Sequence, residues 1–169
     1  KVEEHVFAKG PDVMQAILAG ELDVGATASE GAISARANGA PIVVVAGFAK
    51  GGARLVARPD ANIKSVKDLN GKRVGVTRGG IHEVLLAAQL GQNGLTMSDQ
   101  PGKDVQVVYL AFADLNQALL GKNLDAIMQS EPQSSQAINK GFGVEVMKPY
   151  DTPIGEPVRT LVMTESFYK

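Results

Sequence analysis

The residues best suited to chemistry lie in the stretch "GVTRGGIHEVLL", where a predicted strand ends at Thr77 and two glycines precede a predicted helix. Such a turn exposes backbone N–H groups at the positive end of a helix dipole, which favours an anion. Thr77 adds a hydroxyl, Arg78 a positive charge with several donors, and His82 a ring nitrogen. The stretch lacks both the Walker pattern and G-x-G-x-x-G. It predicts either an anion-binding loop or an ordinary glycine-rich helix start with an exposed arginine.

Patterns for metal binding and catalysis are sparse. His5 and His82 are the only histidines, and the chain has no cysteine, so neither a zinc-ligand spacing nor a thiol nucleophile is present. His82 and Glu83 are neighbours on a predicted helix and therefore do not face each other as an acid/base pair. Ser29 and Ser130 lack the G-x-S-x-G elbow of a serine nucleophile. The sequence predicts no catalytic residue, no metal and no cofactor.

The remaining polar residues have structural interpretations beside functional ones. Ser29 is predicted to cap a helix, where its hydroxyl would also be able to contact a ligand. Glu131 and Pro132 begin a helix, where the dipole favours a carboxylate, so Glu131 has a structural role as an alternative to ligand contact. Asp23 and Asp125 precede strands, and we expect them to fix turn geometry.

Helices and strands alternate along the chain and must position these residues. The predicted strands cover 2–8, 22–28, 41–49, 55–57, 73–77, 104–110, 125–129, 143–149 and 158–164, with helices between most of them. The apolar, β-branched strand 41–49 is the best candidate for a central strand. One of the predicted helices is expected to have Ser29 as its N-terminal cap, and another is expected to be capped near Asp114. The alternation predicts an α/β fold with a mainly parallel sheet and helices on both faces.

A repeat organises the chain. "QAILAGELDVGATAS" starts at Gln15 and "QALLGKNLDAIMQSE" at Gln117, an offset of 102 residues (117 − 15) without a gap. Each copy is predicted to be a helix, a turn and a strand, so the repeat favours two lobes of similar topology over chance likeness of αβ units. The strand ends at 27–29 and 129–131 would then face each other across a cleft, since ligands of open α/β sheets lie outside the carboxyl ends of strands. Crossings between lobes at Gly51-Gly52 and in 158–164 would form a hinge.

Composition excludes several classes of protein. The 169 residues are 44% hydrophobic and 21% charged, with a net charge of −1, which is ordinary for a globular protein and offers no basic field for nucleic acid. No stretch has the apolar length of a membrane-spanning helix. The chain starts with Lys1 rather than Met and has no signal peptide, so we expect a mature, trimmed or fragmentary sequence.

Five segments, in chain order, resemble periplasmic solute-binding proteins of ABC importers, of the nitrate/sulfonate/taurine type that is related to thiamine-precursor-binding proteins. They are "GPDVMQAILAGELDVGATAS", "IKSVKDLNGKRVGV", "GGIHEVLLAAQL", "DLNQALLGKNLDAIMQSEP" and "LVMTESFYK". The resemblance implies a type II periplasmic-binding-protein fold with two hinged lobes: lobe one in 1–50 and 161–169, and lobe two in 53–158. Lobe one would be incomplete, because the family has elements before Lys1 and after Lys169.

The resemblance also implies a function. The protein would capture a small, anionic organic solute in the cleft, in the periplasm or lipid-anchored outside the cytoplasm, and deliver it as a monomer to an ABC permease, without catalysis. By the same resemblance, the ligand contacts fall on Thr27, Ala28, Ser29, Phe48, Thr77, Arg78, Gly79, Gly80, Ile81, His82, Gln129, Ser130 and Glu131.

Two departures from the family pattern change the expected pocket. Gly80 stands where the family often has serine, so one expected hydroxyl contact to the ligand is missing. The positive charge of Arg78 would compensate for the loss of this contact. Gln129 and Ser130 stand where an aromatic residue often precedes the Glu-Pro pair, so the pocket would be more polar. The alternatives are an enzyme on the same scaffold, either desulfinase-like or forming the thiamine pyrimidine, and a ligand-sensing domain of a larger receptor.

Overall fold

A computed structural model of the chain describes residues 2–7 and 10–169, apart from the side chains of Pro157 and Val158. The α/β class is confirmed. The helices and strands are, in order, α1 Gly10–Leu18, β1 Val24–Ala28, α2 Ser29–Ala37, β2 Ile42–Lys50, β3 Ala53–Ala57, β4 Lys72–Val76, α3 Ile81–Gln92, β5 Met97–Ser98, β6 Val105–Tyr109, α4 Leu115–Leu120, β7 Ala126–Ser130, α5 Gln133–Asn139, β8 Val144–Met147, β9 Pro157–Thr164 and α6 Glu165–Tyr168. Short 3-10 turns cover Pro59–Ala61, Val66–Leu69, Phe112–Asp114 and Pro149–Asp151.

The chain divides into two compact units. Unit 1 comprises Lys1–Lys50 and Pro157–Lys169, and unit 2 comprises Gly51–Glu156. The chain enters unit 2 at Gly51 and Gly52, whose φ angles of 75° and 107° are ones that glycine adopts without a steric penalty.

Unit 1 contains a three-stranded sheet in the order β1-β9-β2. The central strand β9 is antiparallel to both neighbours. Burial alternates along β1, because helices cover one face of this sheet. The core between the sheet and helices α1 and α2 consists of Met14, Ile17, Ala32, Ile42 and Val162.

Four predictions for unit 1 are wrong. Residues 2–7 form no strand, and Ala8 lies outside the described residues. The strand predicted to be central, β2, lies at one edge of its sheet, because β9 returns between β1 and β2 and takes the central place. Both strand pairs of this sheet are antiparallel rather than parallel, because β9 runs opposite to β1 and to β2. Ser29 is the first residue of α2 rather than its cap, and Ala28 occupies the cap position.

Unit 2 contains a six-stranded sheet in the order β5-β6-β4-β7-β3-β8. Strand β3 is antiparallel to β7 and β8, whereas the pairs β5-β6, β6-β4 and β4-β7 are parallel. Five strands therefore run in one direction, and β3 alone runs in the other. The prediction of a mainly parallel sheet holds for unit 2. Its short strand β5 was not predicted, and Asp114 precedes α4 without making a side-chain cap hydrogen bond.

Helices cover both faces of the unit 2 sheet, as predicted. On one face α3 supplies Leu85, Leu86 and Leu90 to a core that includes Val74 and Val76. On the other face α4 and α5 close a second core with the sheet, built from Val56, Leu115, Leu119, Leu124, Ile127 and Ala137. Because apolar layers cover both faces of the sheet, its strands are fixed in register, and the strand ends can hold side chains in defined positions.

The sequence repeat is a repeat of structure. Unit 1 has the order α1-β1-α2-β2 with β9 paired between the two strands, and unit 2 has α4-β7-α5-β8 with β3 between them. Strand β7 begins 102 residues after β1 (126 − 24), and β8 begins 102 residues after β2 (144 − 42). Strand β9 begins where the chain returns to unit 1, and strand β3 begins just after the chain enters unit 2. Equivalent positions of the two copies can therefore be compared directly.

Candidate functional site

Strands β4, β6 and β7 run in the same direction and end at one edge of the unit 2 sheet. The loop 77–80 and the start of α3 at Ile81 follow β4, Phe112 lies just after β6, and residues 129–131 end β7 and follow it. This edge, which we call the carboxyl edge, is the usual position of a ligand in an open α/β sheet. Two of the predicted groups of ligand-binding residues are therefore at one edge of unit 2.

The glycine-rich turn at this edge has two distinct conformations. Gly79 has a φ of 76°, which disfavours any side chain, whereas Gly80 has an extended φ of −110° and caps α3 without a side-chain hydrogen bond. Helix α3 has 12 residues, and the Glu83 N–H in its first turn donates to the Gly80 carbonyl at 3.1 Å. Ile81 is only 9% exposed, and its side chain packs into the core of unit 2 rather than lying open at the edge.

Arg78 is held by two contacts at the carboxyl edge. Its Nη2 lies 3.0 Å from Asp99 Oδ2, and its guanidinium lies 3.9 Å from the centre of the Tyr109 ring. The side chain is nevertheless 65% exposed, so its charge is accessible. The sequence predicted the charge of Arg78 but not Asp99 or Tyr109, which are distant in sequence and meet it only through the sheet.

Glu83 fixes the turn from the first turn of α3. Its Oε2 accepts the Gly79 N–H at 2.6 Å, and its Oε1 accepts the Tyr109 hydroxyl at 2.5 Å. The hydrogen bond to Glu83 is the main cause that raises the pKa of Tyr109, and burial adds to it. One N–H group predicted to bind an anion is thus engaged by a carboxylate. An acidic residue four positions after Gly79 was the available signal for this contact.

His82 packs against an aromatic ring of the next loop. The ring centres of His82 and Phe112 are 5.7 Å apart, with an angle of 38° between the ring planes. Glu83 contacts Tyr109 instead, so the two neighbours face different surroundings, as the helical geometry predicted.

Buried polar side chains line the end of β7. Gln129 is 0% exposed, and its Nε2 donates to Asn116 Oδ1 at 2.6 Å. Asn116 Nδ2 donates in turn to the Gln133 carbonyl at 3.0 Å. Three buried oxygens in this region accept no hydrogen bond from the described part of the chain: Thr77 Oγ1, Gln129 Oε1 and Gln133 Oε1. Thr77 and Gln129 were selected from the sequence, whereas Asn116, which α4 brings to Gln129, was not.

Ser130 and Glu131 have structural contacts. The Ser130 carbonyl accepts the Ser134 hydroxyl at 3.3 Å, and Glu131 Oε2 accepts the Ser135 N–H at 3.1 Å. Glu131 also pairs with Arg54 at 2.7 Å. These contacts agree with the structural interpretation of Glu131 at the start of a helix.

The unit 1 residues occupy the equivalent strand end. Thr27 corresponds to Gln129 through the 102-residue offset and is 3% exposed, with its hydroxyl 3.4 Å from the Gly10 carbonyl. Thr160 lies opposite Thr27 on β9, and its buried hydroxyl makes no hydrogen bond within the described residues. Ser29 is also buried, whereas Phe48 is 54% exposed on β2. Thr160 was not selected from the sequence, because its position opposite Thr27 depends on the strand pairing.

The matching aspartates of the repeat differ. Asp125 Oδ1 accepts Arg58 Nη2 at 2.8 Å, and its Oδ2 accepts the Arg73 N–H at 2.9 Å. Burial opposes ionisation of Asp125, but these hydrogen bonds outweigh it and lower the pKa. Asp23 is exposed. The prediction that an aspartate fixes the turn before the strand therefore holds for Asp125. Its hydrogen bonds connect the start of β7 to the end of β3 and the start of β4.

Metal and membrane signals are absent from the described ranges. Residues 2–7 and 10–169 contain no cluster of three or more histidine, cysteine, aspartate or glutamate side chains suited to a metal. No helix among them is long and apolar enough to span a bilayer.

Comparison with known proteins identifies the family. The model of the family described as "NMT1/THI5 like" matches residues 4–168 of the chain. The chain belongs to this family. A protein of Escherichia coli (strain K12) named for binding aliphatic sulfonates is 35% identical over 151 residues, which are 88% of this chain and 45% of that protein. The predicted relationship to sulfonate-type solute-binding proteins is confirmed.

Solved structures of relatives share the fold of this NMT1/THI5-like chain. The periplasmic aliphatic sulphonate binding protein SsuA from Escherichia coli is 28% identical, with a TM-score of 0.84 over 95% of this chain and 54% of that one. The periplasmic nitrate-binding protein NrtA from Synechocystis PCC 6803 is 15% identical, with a TM-score of 0.67 over 95% of this chain and 46% of that one, and shows the fold alone. The chain spans about half the length of these relatives.

Proposed function

We propose that this chain belongs to the solute-binding component of an ABC importer, which captures a small anionic organic solute such as a sulfonate. The observation that carries the proposal is the carboxyl edge of unit 2, where a glycine-rich turn, an exposed arginine and the start of a 12-residue helix converge. The relationship to an aliphatic sulfonates-binding protein supports the choice of anion.

The turn has the chemistry that a sulfonate requires. A sulfonate has three acceptor oxygens and one negative charge, which match N–H groups at a helix start and a guanidinium fork. The ion pair of Arg78 with Asp99 uses Nη2 and leaves other donors of the fork for a ligand. The Tyr109 ring keeps the guanidinium at the edge. His82, whose ring packs at a tilt against Phe112, adds an aromatic surface for the organic part of the solute.

We propose the remaining contacts from the family resemblance. In unit 2 they are Thr77, Gly79, Gly80, Ile81, Gln129, Ser130 and Glu131. In unit 1 they are Thr27, Ala28, Ser29 and Phe48. The equivalence of Thr27 and Gln129 in the repeat, both buried polar residues at strand ends, supports the choice of these two groups.

The setting of the protein follows from the same proposal. We infer that the two units are the lobes of a hinged binding protein that acts as a monomer outside the cytoplasm, in the periplasm or lipid-anchored, and passes its solute to a membrane permease. Solute binding without catalysis agrees with the names of the relatives, which are binding proteins.

Native mass spectrometry of the full natural chain, purified without added ligand, tests this function. The expected result is a protein peak that carries a small anionic molecule in 1:1 ratio, lost on denaturation. The Arg78→Ala/His82→Ala variant should lose this molecule, whereas Arg73→Ala, at an exposed arginine at the other end of β4, should retain it. In a second measurement, a sulfonate is added to the purified protein and followed by mass spectrometry. Its conversion to a product of different mass would contradict a purely binding role.

A further inference from the structure

Positive charge is concentrated at one edge of the unit 2 sheet. Strands β4, β5, β6, β7 and β8 begin at this edge and β3 ends there, so it lies opposite the carboxyl edge, and we call it the amino edge. The strand starts and the connections next to them are 58–73, 93–97, 103–106, 121–126 and 140–144. These segments contain eight of the 17 lysines and arginines of the chain but four of its 18 acidic residues. The amino edge therefore has a net charge of +4 (8 − 4), which the net charge of −1 for the whole chain conceals.

Most of these cations are not neutralised by a neighbour. Arg58 pairs with Asp60 and Asp125, and Lys122 pairs with Asp60. The other six cations form no ion pair with any residue that the structure describes: Lys64, Lys67, Lys72, Arg73, Lys103 and Lys140. Of these six, only Lys72 is half-buried, and the other five are exposed. The charge of the amino edge is therefore accessible to a partner.

The two remaining acidic residues accept hydrogen bonds from the loops that surround them. Asp68 Oδ2 accepts the N–H groups of Lys64 and Ser65 at 3.0 and 2.9 Å. Asp104 Oδ2 accepts the Thr96 N–H at 2.8 Å and the Thr96 hydroxyl at 2.7 Å. Each carboxylate thus fixes the backbone of a loop, and it leaves the lysine side chains of that loop without a direct ion pair.

Backbone hydrogen bonds join the loops into one surface. The Gly71 N–H donates to the Asp104 carbonyl at 2.6 Å, which brings Lys103 beside the start of β4. The Asp125 N–H donates to the Arg73 carbonyl at 2.9 Å, which connects the start of β4 to the start of β7. The free cations of separate loops are consequently neighbours at the same edge of the sheet.

Apolar side chains are accessible beside these cations. Leu120 is 52% exposed at the end of α4, two residues before Lys122. Leu120 and Phe142 line a cavity of ≈ 240 Å³ whose lining includes Lys122. A second cavity, of ≈ 360 Å³, shares both apolar residues and includes Lys140. Lysines that flank an exposed apolar surface are typical of proteins that lie on a membrane surface, where the charges meet headgroups and the apolar side chains enter the acyl boundary.

We propose that the amino edge of unit 2 docks reversibly on an anionic phospholipid bilayer. The free lysines bind headgroup phosphates, and Leu120 lies at the acyl boundary. Nucleic acid fits this surface less well, because the amino-edge segments contain a single aromatic residue, Phe142, and no platform on which successive bases would stack.

Docking at the amino edge leaves the candidate solute site open. The carboxyl edge lies at the other ends of the same strands, and the five residues of β4 separate the two edges by about 16 Å. The inference therefore goes beyond the proposed function and does not depend on it.

Co-sedimentation with vesicles tests the docking, with the full natural chain prepared without any attached lipid. The protein should bind vesicles of equal parts phosphatidylglycerol and phosphatidylcholine, and it should not bind vesicles of phosphatidylcholine alone. Binding should be lost between about 0.1 M and about 1 M salt, because the Debye length falls from about 10 Å to about 3 Å. Lys64→Gln/Lys67→Gln/Lys103→Gln should weaken binding on the order of a hundredfold, at roughly fivefold per lysine.

The matched control is Lys50→Gln/Lys148→Gln/Lys169→Gln, which removes the same charge outside the amino edge. This variant should bind the anionic vesicles like the wild type, and thermal unfolding shows whether each variant is folded. Equal losses in the two triple variants would assign the binding to net charge and overturn the docking surface. Wild-type binding after replacement of Lys64, Lys67 and Lys103, or no binding of the wild type, would overturn it as well.

Leu120→Ser separates a bilayer from other polyanions. It should weaken binding to the anionic vesicles severalfold, because the acyl boundary no longer receives an apolar side chain. Binding of duplex DNA by the wild type as tightly as the vesicles would overturn the bilayer as the partner. Calorimetric affinity for a solute should be the same in wild type and Leu120→Ser, so failure of the docking would leave the proposed function intact.

Discussion

The guanidinium of Arg78 lies over the ring of Tyr109, 3.9 Å from its centre, and this stacking positions the exposed cation at the carboxyl edge of unit 2. The two residues come from different strands, since Arg78 follows β4 and Tyr109 ends β6. The parallel pairing of these strands, with Val76 opposite Tyr109, brings them together. The placement of the charge therefore depends on the register of the sheet as well as on the glycine-rich turn.

Replacement of Tyr109 tests this placement. Tyr109→Leu removes the ring beneath Arg78 and should weaken binding of a sulfonate about two- to fivefold, the value of an exposed cation–π contact. Tyr109→Phe is the matched control, because it keeps the ring and loses only the hydroxyl bonded to Glu83. Calorimetric affinities of the two variants should therefore differ, and equal losses in both would contradict a role for the ring.

Replacement of Gly80 should restore the hydroxyl that the family pattern has at this position. Gly80→Ser places a side chain in open space at the cap of α3, with an extended backbone that any residue adopts. We expect stability to rise by a few tenths of a kcal/mol and sulfonate affinity to increase. Gly79→Ser is the control, since its φ of 76° disfavours serine and should destabilise the turn by about 1 kcal/mol. Thermal unfolding that ranks the two variants in the opposite order would refute this account.

Asp125 should contribute to stability, whereas its repeat partner Asp23 should not. Asp125→Ala removes hydrogen bonds to Arg58 and to the Arg73 N–H, and we expect a loss of about 1–3 kcal/mol in the free energy of unfolding. Asp23→Ala, at the equivalent exposed position, should change it by less than about 0.5 kcal/mol. Denaturant unfolding of both variants measures the difference.

The contribution of Asp125 should also depend on pH. Its pKa is lowered in the folded state, so the stabilisation is present above the unfolded pKa of about 3.9 and is lost as the pH falls through the folded value. The difference between wild type and Asp125→Ala should therefore shrink only in acid. A difference that is the same at pH 3 and pH 7 would contradict the assignment.

Glu156 should have the opposite pH dependence. It is 4% exposed, one oxygen accepts the Ala53 N–H at 2.8 Å, and burial raises its pKa. Ionisation is therefore disfavoured in the folded state, and the penalty grows as the pH rises from the unfolded pKa of about 4.3 through the folded value. Glu156→Gln keeps an acceptor for Ala53 and should raise the melting temperature at pH 7 by about 2–4 °C, with less effect at pH 4. Glu21→Gln, at an exposed site, is the control, and a melting temperature lower than wild type at pH 7 would be the contrary result.

Much of the fold followed from local patterns. The glycine-rich start of α3, the strands of unit 2 other than β5, and the repeat were predicted because helix signals, β-branched runs and spacing are local properties of the chain. The central position of β9 and the reversed strand β3 were not, since strand order depends on pairing between distant segments. The prediction of β2 as a central strand failed for this reason: an apolar run indicates burial, but not which neighbour covers each edge.

The candidate site was predicted where chemistry is concentrated in one segment. Thr77, Arg78 and His82 were selected from a single stretch, whereas their partners Asp99, Tyr109 and Phe112 come from other elements. The hydrogen-bond chain through Asn116 was likewise invisible, because asparagine on a predicted helix has no distinctive spacing.

Isothermal titration calorimetry of the full natural chain with three sulfonates (propane-1-sulfonate, 2-hydroxyethanesulfonate and 2-aminoethanesulfonate) compares the wild type with Arg78→Ala/His82→Ala and shows whether Arg78 and His82 bind the anion. We expect 1:1 binding to the wild type, at least tenfold weaker binding to the double variant while thermal unfolding shows that it is folded, and wild-type affinity in Arg73→Ala. Affinity that is the same in the double variant and the wild type, or no binding of any of the three to the wild type, would contradict it.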